Sequence, residues 1–594
     1  MNRRQLLLSS GALALTGVTS AAAASRFRRA RPGKPGWPSA KAWDSLSKSV
    51  GGRLIRIASP FEAAKVDPVA AIELFRSLRN PYFIGDSVAL TQTLGWTDAW
   101  TSSPSAYAVA AESAADVAAA VNFAREHRLR LVVKGGGHSY QGTSNAPDSL
   151  LIWTRPMHAI ELHGAFTPKG CEGKAIPQPA VSLGAGCRWI EAYNAVTTRA
   201  GRYVQGGGCS TVGVAGLVQS GGFGSFSKTY GTAAGGLMEA EVVTADGQIR
   251  IANACTNPEL FWALKGGGGG GFGVVTRVTL RTHALPKNFG TAQVDIKARS
   301  PTAFRRLVGE ILAFYRDKLM NPHWGEQITF HADGDVSVRM LFQGLERAEA
   351  EAVWKPFLDR LRAQASDYSL GSPLILALPA AKFWDASFMR ALPGVLKADD
   401  RPNAPVENVF WAGDAGQVGQ VLHGYASAWL SQDLLQPSRI EALADAVTAT
   451  ARRWGVSLHF NKGLAGAPQE PLEAAKDTAT NPAVLDAFAL AILGGEGPPA
   501  YPGIPGHEPD VADGRGAAKA IREAAAPLRK LQAKPAAYVS ESDYFQEDWR
   551  EAFWGDNYTR LARIKALVDP DGLFFTHHGV GSDLWSADGF ERIG

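Results

Sequence analysis

Apolar and polar positions follow helical and strand periods in turn through the first half of the chain. Residues 114–126 carry apolar side chains at helical spacing, and the short apolar run 131–133 follows after a break, which predicts a helix and then a strand. Asp246-Gly247 predicts a tight hairpin turn between two more strands. Further predicted strands cover 150–153, 180–183, 239–244 and 248–251, with helices at 188–200 and 258–264. The pattern is α+β rather than a strict β-α-β alternation.

From about residue 285 the glycine density falls and the periodicity changes. The predicted helices cover 302–319 and 348–364, and the predicted strands cover 326–331 and 337–342. This order favours a second domain in which an antiparallel sheet is backed by helices. A strand over 457–461 would place His459 and Asn461 on one face, because strand residues two apart point to the same side. The Pro- and Gly-rich stretch 494–514 is typical of a mobile loop or lid.

Three glycine clusters interrupt the first half. The run LVVKGGGHSYQGTS (131–144) leads from a predicted strand into a turn, and glycines there allow backbone N–H groups to surround an anion. The second cluster has 11 glycines in the 33 residues 204–236, and the third, 266–271, leads into another strand. None fits a P-loop, and none fits GxGxxG within a β-α-β unit. The clusters are therefore either flexible loops or a cradle that follows an extended ligand.

Composition and charge exclude some classes of function. The hydrophobic fraction is 45% and the charged fraction 20%, as in folded globular proteins, and 594 residues are enough for more than one domain. The net charge is only +5 and no basic patch is interleaved with aromatics beyond the N-terminus, so no nucleic-acid partner is expected. Four cysteines at wide spacing form neither a metal motif nor a disulfide framework, and no metal site is predicted.

The first 24 residues predict an export signal. Arg3 and Arg4 precede an apolar stretch and the small-residue run 21–24, which a signal peptidase could cut. The adjacent arginines are similar to a twin-arginine signal, although Asn2 stands where Ser or Thr is usual; an ordinary secretory signal is the alternative. Both interpretations predict a periplasmic or secreted protein. The apolar stretch is shorter than the ~20 residues of a membrane span, so no integral span is expected in the mature protein.

Read in order, the glycine clusters resemble a known family. VVKGGGHSYQGTS, GGGCSTVGVAGLVQSGGFGSFSKTYG and KGGGGGGFGVVTRVTL are similar to the FAD-binding domain of the vanillyl-alcohol oxidase superfamily (the PCMH-type domain), in its berberine bridge enzyme-like branch. Near the C-terminus, NYTRL, IK and DPDGLF resemble that branch's closing signature, and GVGSDLW is similar to the tail of fungal members. These motifs cover about 83–282 and 538–585, whereas the middle matches only in general organisation.

The N-terminal pattern and the resemblance together imply a domain plan. It comprises an export signal at 1–24, an N-terminal extension at 25–82, a two-part FAD-binding domain at 83–284, a substrate domain at 285–530 and a segment at 531–594 that returns to the FAD-binding domain.

The resemblance also assigns the cofactor and its ligands. It implies FAD bonded covalently to His138 through the flavin 8α carbon and to Cys209 through flavin C6, and imidazole and thiolate are nucleophiles suited to both bonds. A hydrogen-bonded loop histidine, and a buried thiol or a disulfide with Cys171, Cys187 or Cys255, are the alternatives. Ser210 stands where many relatives have proline, which departs from the pattern at the second bond. The other implied cofactor-binding residues are Gly135, Gly136, Gly137, Ser139, Gly142, Gly213, Gly216, Gly221, Gly222, Gly273, Val275 and Asn557.

Catalytic residues are implied in the same way. Tyr230 matches the family's active-site tyrosine and is the first candidate for the base; His459 and Asn461 would polarise it or hold the substrate. Glu541 stands where many plant relatives have a tyrosine beside the flavin, which makes it a second candidate base. Each has a plain structural alternative, because an unusual residue at a site is only a candidate.

The function implied is an FAD-dependent oxidoreductase. We expect an oxidase that takes hydride from an alcohol or carbohydrate hydroxyl, a small-molecule substrate, and passes the electrons to O₂. A flavin dehydrogenase or oxidative cyclase of the same family, and a non-catalytic periplasmic flavin- or ligand-binding protein, are the alternatives.

Overall fold

A computed structural model of the chain describes residues 27–593. The predicted export signal lies outside these residues. In the described part of the chain, no helix is both long and apolar enough to span a bilayer.

The first sheet carries the glycine turn of residues 131–144. Its three parallel strands, with Ser149–Trp153 in the centre, are joined by helix Ala114–Glu126, which begins at a capping box in which Ser113 and Asp116 each accept the other's backbone N–H. The predicted N-terminal extension adds an antiparallel edge strand, Leu54–Arg56. The strand order is Leu54–Arg56, Tyr107–Ala110, Ser149–Trp153 and Arg130–Lys134.

The second sheet is antiparallel and holds the other two glycine clusters in its connections. The predicted hairpin is present, with Gly247 at φ +75° in its turn. The strand order is Ile249–Asn253, Leu237–Val243, Val274–Ala284, Gln178–Gly184 and Ile160–Phe166, and Arg202–Val204 pairs with the end of Val274–Ala284. Its helices are Trp189–Tyr193, Val214–Gln219, Ser227–Tyr230 and Pro258–Leu264, and a π-helical turn covers Asn194–Arg199.

The third sheet has ten strands and confirms the predicted antiparallel sheet backed by helices. Its strand order is Tyr368–Leu370, Asn288–Ala298, Asp335–Gln343, Trp324–Phe330, Val456–His459, Ala487–Gly497, Gln420–Ser431, Thr93–Trp96 and Trp100–Thr101, and Leu374–Pro379 also pairs with Asn288–Ala298. The backing helices are Pro301–Phe314, Arg347–Ala363, Ile440–Arg453 and Val511–Arg529. Strands Thr93–Trp96 and Trp100–Thr101 precede the glycine turn in the chain, so this sheet joins both halves of the molecule.

The remaining elements are short and connect these layers. A two-stranded sheet pairs Leu396–Ala398 with Val409–Trp411. Further helices are Ala40–Ser49, Pro60–Val66, Pro68–Ser77, Pro81–Gly85, Ala386–Met389, Gln469–Lys476, Ala483–Asp486, Trp549–Trp554 and Tyr558–Val568. A π-helical turn covers Tyr315–Leu319, and 3₁₀ turns cover Ala380–Lys382, Ala412–Gln417, Gln432–Leu435, Phe460–Lys462, Gly555–Asn557 and Ser582–Leu584.

The loop predicted at 494–514 is shorter in the structure, and part of it is packed. Its start belongs to strand Ala487–Gly497 and its end to helix Val511–Arg529. Between them Tyr501 stacks on Phe61 with ring centroids 3.7 Å apart and donates a hydrogen bond to the Ser102 carbonyl, while Ile504 is fully buried. Proline and glycine shape a packed connection here.

The cysteines take two different states. Cys171 and Cys255 form a disulfide, whereas Cys187 and Cys209 are free thiols. The disulfide alternative for Cys209 is thereby excluded.

The C-terminal segment returns to the first sheet, where Phe574 bridges to Leu131. Lys565 secures this return, because its buried ammonium donates to the Gly271 carbonyl at 2.5 Å, to the Asp569 carboxylate at 2.6 Å and to the Phe574 carbonyl at 2.7 Å. The third glycine cluster and the C-terminal signature thus meet at one buried cation.

Lys565→Met should lower the free energy of unfolding by about 3–5 kcal/mol, because it leaves the buried Asp569 carboxylate without its cation. Denaturant unfolding of the purified protein measures the change. Lys534→Met is the matched control: the exposed Lys534–Asp556 pair should contribute less than about 1 kcal/mol. Equal losses in the two variants would contradict the anchoring role of Lys565.

Candidate functional site

The glycine turn and the second glycine cluster meet at the junction of the first two sheets. A Cβ on Gly136 would lie 2.7 Å from the Gly213 nitrogen and 3.0 Å from the Thr211 carbonyl oxygen, so only glycine allows this approach. Gly137 follows with φ +75°, which turns the chain towards His138. The two loops form one continuous wall of backbone.

This wall faces a cavity of about 1210 Å³, which we call the flavin cavity. It extends from the glycine loops to one face of the ten-stranded sheet. The lining from the loops includes Gly135, Gly136, Gly137, His138, Ser139, Cys209, Gly213, Gly216, Gly273 and Val275. The lining from the far side includes Gln293, Glu326, Gln327, Arg339, Asp414, His459, Asn461, Lys462 and Glu541.

His138 faces the cavity as a neutral imidazole. Its Nε2 lies 3.0 Å from Thr211 Oγ1. Burial, assisted by the charge of Arg188, lowers the pKa of His138 to about 3. A neutral imidazole keeps a nucleophilic ring nitrogen, as a bond to a flavin carbon requires.

Cys209 is a half-buried thiol within the second glycine cluster. The charge of the neighbouring Asp414 carboxylate, together with burial, raises the pKa of the Cys209 thiol well above its usual value.

Buried polar atoms around the cavity fit FAD. Oxygen and nitrogen atoms of six lining residues are shielded from solvent and lack a hydrogen-bond partner within the described protein: Gln92 Oε1, Thr93 Oγ1, Gln141 Oε1, Gln219 Oε1, Asn461 Oδ1 and His578 Nδ1. Buried polar groups are costly without partners, so these atoms suit a long ligand rich in donors and acceptors. The glycine loops also suit the pyrophosphate of FAD, and the two nucleophilic side chains, His138 and Cys209, suit its flavin ring.

Four of the predicted cofactor-binding residues lie outside the cavity lining and contact other parts of the protein instead. A Cβ on Gly142 would come within 2.6 Å of the Trp100 ring, and one on Gly222 within 2.5 Å of Leu217. Close packing therefore requires glycine at both positions. Gly221 lies in the same turn, at φ +101°. Asn557 donates to the Thr480 carbonyl at 2.8 Å and ties the C-terminal helix to a neighbouring loop.

The prediction of Tyr230 as the base is not supported by its position. Tyr230 is outside the cavity lining, and its ring packs 4.5 Å from that of Tyr203 and 4.8 Å from that of His283. Burial raises the pKa of Tyr230 to about 12, and among residues 27–593 no cation lowers it. The residue lies at the end of helix Ser227–Tyr230, where its partly buried ring packs against the hydrophobic core of the second sheet.

His459 and Asn461 do both face the cavity, but not on one strand. The strand ends at His459, and Asn461 belongs to the 3₁₀ turn Phe460–Lys462. Burial lowers the pKa of His459 well below its usual value, so the imidazole is neutral at physiological pH. Glu541 reaches the same region from the C-terminal segment and forms an ion pair with Lys462.

Glu326, which the sequence analysis did not select, has the most unusual setting in the cavity. Its backbone has φ +69° within strand Trp324–Phe330, a conformation that costs a non-glycine residue free energy and that clusters at functional sites. Its carboxylate accepts hydrogen bonds from Ser225 Oγ at 2.5 Å and from Asn461 Nδ2 at 3.4 Å. Burial raises the pKa of Glu326 above its usual value.

A row of polar side chains crosses the sheet face above the cavity. Gln293 pairs with Arg339, Arg339 with Gln327, and Gln327 with His459, on four adjacent strands. Paired residues project to the same face, so their side chains lie side by side. Beyond Gln293 the row ends at an apolar residue, Leu374, which pairs with Gln293 from the neighbouring strand.

Comparison with known proteins agrees with this geometry. The family described as "FAD binding domain" matches residues 105–253, and "Berberine and berberine like" matches residues 537–581. The VAO-type flavoprotein oxidase VAO615 of Thermothelomyces thermophilus is 28% identical over 616 residues, covering 95% of each chain. The FAD-linked oxidoreductase easE of Arthroderma otae is 30% identical over 598 residues, covering 94% of this chain and 90% of its own.

A solved structure shows the same architecture. The crystal structure of the VAO-type flavoprotein MtVAO615 from Myceliophthora thermophila C1 superposes with a TM-score of 0.77 at 26% identity, covering 95% of this chain and all of that one. Sequence, cavity and fold therefore agree: the chain belongs to the vanillyl-alcohol oxidase superfamily, in its berberine bridge enzyme-like branch, and is an FAD-dependent oxidoreductase.

Proposed function

We propose that this oxidoreductase is an oxidase that removes hydride from a carbon bearing a hydroxyl group, in an alcohol or a carbohydrate. The observation that carries the substrate class is the polar row of Gln293, Arg339, Gln327 and His459 across the cavity. Amide, guanidinium and imidazole groups side by side offer several donors and acceptors to neighbouring hydroxyls. The name of the relative VAO615 supports electron transfer to O₂.

FAD supplies the hydride acceptor. The chain must supply a group that takes the hydroxyl proton, and Glu326 has the properties of a general base. It faces the cavity, Ser225 and Asn461 fix its carboxylate, and its raised pKa makes it a stronger proton acceptor than an exposed glutamate. Asn461 is thus a positioning residue, and His459 is placed to hold the substrate.

We further propose that the flavin is bonded to His138 and Cys209. A neutral imidazole and a free thiol face one cavity from the two glycine loops, where both could reach one ring system.

Export from the cytoplasm, by a twin-arginine or a secretory signal, is proposed on the N-terminal sequence. The disulfide Cys171–Cys255 supports it, since disulfides persist in oxidising compartments.

A substrate panel of alcohols, sugars and amines tests the function. With an alcohol or sugar, the flavin absorbance should bleach under anaerobic conditions and return on admission of air, with one H₂O₂ formed per substrate oxidised. Bleaching without recovery in air would indicate a dehydrogenase. A ring-closed product by mass spectrometry would indicate a cyclase, and no bleaching with any compound would leave a binding protein.

A further inference from the structure

We propose that Asp414 is the proton acceptor that activates the Cys209 thiol for its bond to the flavin. The proposal rests on the attachment at Cys209 put forward above. It gives a function to a cavity carboxylate that substrate oxidation by Glu326 does not use.

One hydrogen bond fixes the turn that carries Asp414 beside Cys209, across 205 positions of sequence. Asp414 lies in the 3₁₀ turn Ala412–Gln417, directly after strand Val409–Trp411. The indole Nε1 of Trp411 donates to the Gly208 carbonyl at 3.0 Å, which fixes this turn against the loop that carries Cys209. The Asp414 carboxylate and the Cys209 thiol are thereby neighbours in the lining of the flavin cavity.

The other charged groups that face Cys209 influence its pKa less than Asp414 does. Lys462 and Glu541 act on the thiol through space, and they are paired with each other. Within residues 27–593, Asp414 forms no salt bridge, so no cation competes with the thiol for its carboxylate.

Protonation states favour a thiol and a carboxylate at rest. Burial raises the pKa of Asp414 to about 6, so the carboxylate is ionised at neutral pH. The pKa of the Cys209 thiol is well above its usual value, so the free thiolate is scarce and the thiol needs an acceptor as it reacts. A carboxylate held beside the thiol provides one without diffusion.

The step balances with O₂ as the oxidant. The S–H bond breaks and its proton passes to Asp414, while the sulfur forms a bond to flavin carbon C6. The hydrogen on C6 leaves as a proton, and the electron pair of that C–H bond remains in the ring, which is thereby reduced by two electrons. O₂ then takes these two electrons and two protons as H₂O₂, which restores the oxidised flavin and the carboxylate.

Counting thiols tests the proposal without any substrate. The chain has four cysteines, two of them in the disulfide, so denatured non-reduced wild-type protein should show one reactive thiol, that of Cys187. Asp414→Asn keeps a hydrogen-bond acceptor of the same shape but cannot take the proton. Freshly purified D414N protein should show two thiols, and peptide mass analysis should find flavin on the His138 peptide alone.

Two variants control for disruption of the cavity. Asp414→Glu restores a carboxylate and should return the count towards one. Glu496→Gln removes another cavity carboxylate, one that does not contact Cys209, and should leave one thiol. If D414N does not accumulate as folded yellow protein, Asp414→Ser is measured in its place.

One thiol in folded D414N would overturn the role of Asp414 while leaving the attachment intact. Two thiols in the wild type would overturn the attachment at Cys209 itself and the role of Asp414 with it. The two failures are therefore distinguishable in one assay.

Discussion

Replacing Glu326 with glutamine should slow flavin reduction by about 10²- to 10⁴-fold, the usual contribution of a general base. The amide retains the hydrogen bonds from Ser225 and Asn461 but cannot accept the hydroxyl proton. Anaerobic stopped-flow absorbance, with the compound that bleaches the wild-type flavin fastest, measures the rate constant. Because the change affects the chemical step, the substrate concentration at half-maximal rate should move little.

The pH dependence of the same rate gives an independent test. A base must be ionised to act, so the rate should rise with pH through the pKa of Glu326. Burial raises that pKa, so the rise should lie above the range of an ordinary glutamate, about 4.3. In E326Q the same rise should be absent.

Two further variants sharpen this result. Glu161→Gln, on an exposed strand, should leave the rate at the wild-type value. Glu541→Gln separates the two candidate bases: because Glu541 is held in an ion pair with Lys462, its loss should slow reduction less than the loss of Glu326. A rate in E326Q within about threefold of wild type, with a large loss in E541Q, would transfer the role of base to Glu541.

The fold could be predicted from the sequence wherever local signals are strong. Helix Ala114–Glu126 and the hairpin at Asp246-Gly247 follow from apolar spacing and turn chemistry, which act between neighbours in the chain. The clusters around Gly136 and Gly213 indicated a ligand because their glycine density suits no regular element, and their close approach supplies the physical reason.

The candidate base could not be predicted from the sequence in this way. Tyr230 and Glu326 differ in whether their side chains reach the cavity, which depends on how the second and third sheets pack and not on either local sequence. The strand containing Glu326 was predicted, but a positive φ within a strand is imposed by tertiary contacts and leaves no sequence signal. Asp414 contacts a residue 205 positions away, so no spacing rule could have paired it with Cys209.

The ten-stranded sheet shows the same limit. Strands Thr93–Trp96 and Trp100–Thr101 come before the glycine turn, and the predicted boundary assigned them to the FAD-binding domain. Strand Thr93–Trp96 pairs in parallel with Gln420–Ser431, a long-range contact that joins the two halves around the flavin cavity. Which strands pair across so long a separation in sequence depends on how the sheets pack in the folded protein.

Removing both proposed attachment residues should abolish flavin retention on denaturation. Wild-type protein precipitated with acid should keep its yellow colour with the polypeptide, whereas His138→Ala/Cys209→Ala should release all of it to the supernatant. Each single variant should retain the flavin through the remaining bond, because the two residues face the cavity from different loops. Absorbance of pellet and supernatant, with intact-protein mass, measures the retained fraction.

Cys187 provides a matched control for the thiol. It is free, fully buried and outside the cavity lining, and burial raises its pKa to about 12, so it has neither access to the flavin nor thiolate character. Cys187→Ser should therefore retain both bonds and the full colour in the pellet. Colour released from the wild type would contradict the covalent assignment altogether. Colour lost completely from H138A alone would show that Cys209 forms no bond of its own, since a thiol bonded to the ring would hold the flavin without the imidazole.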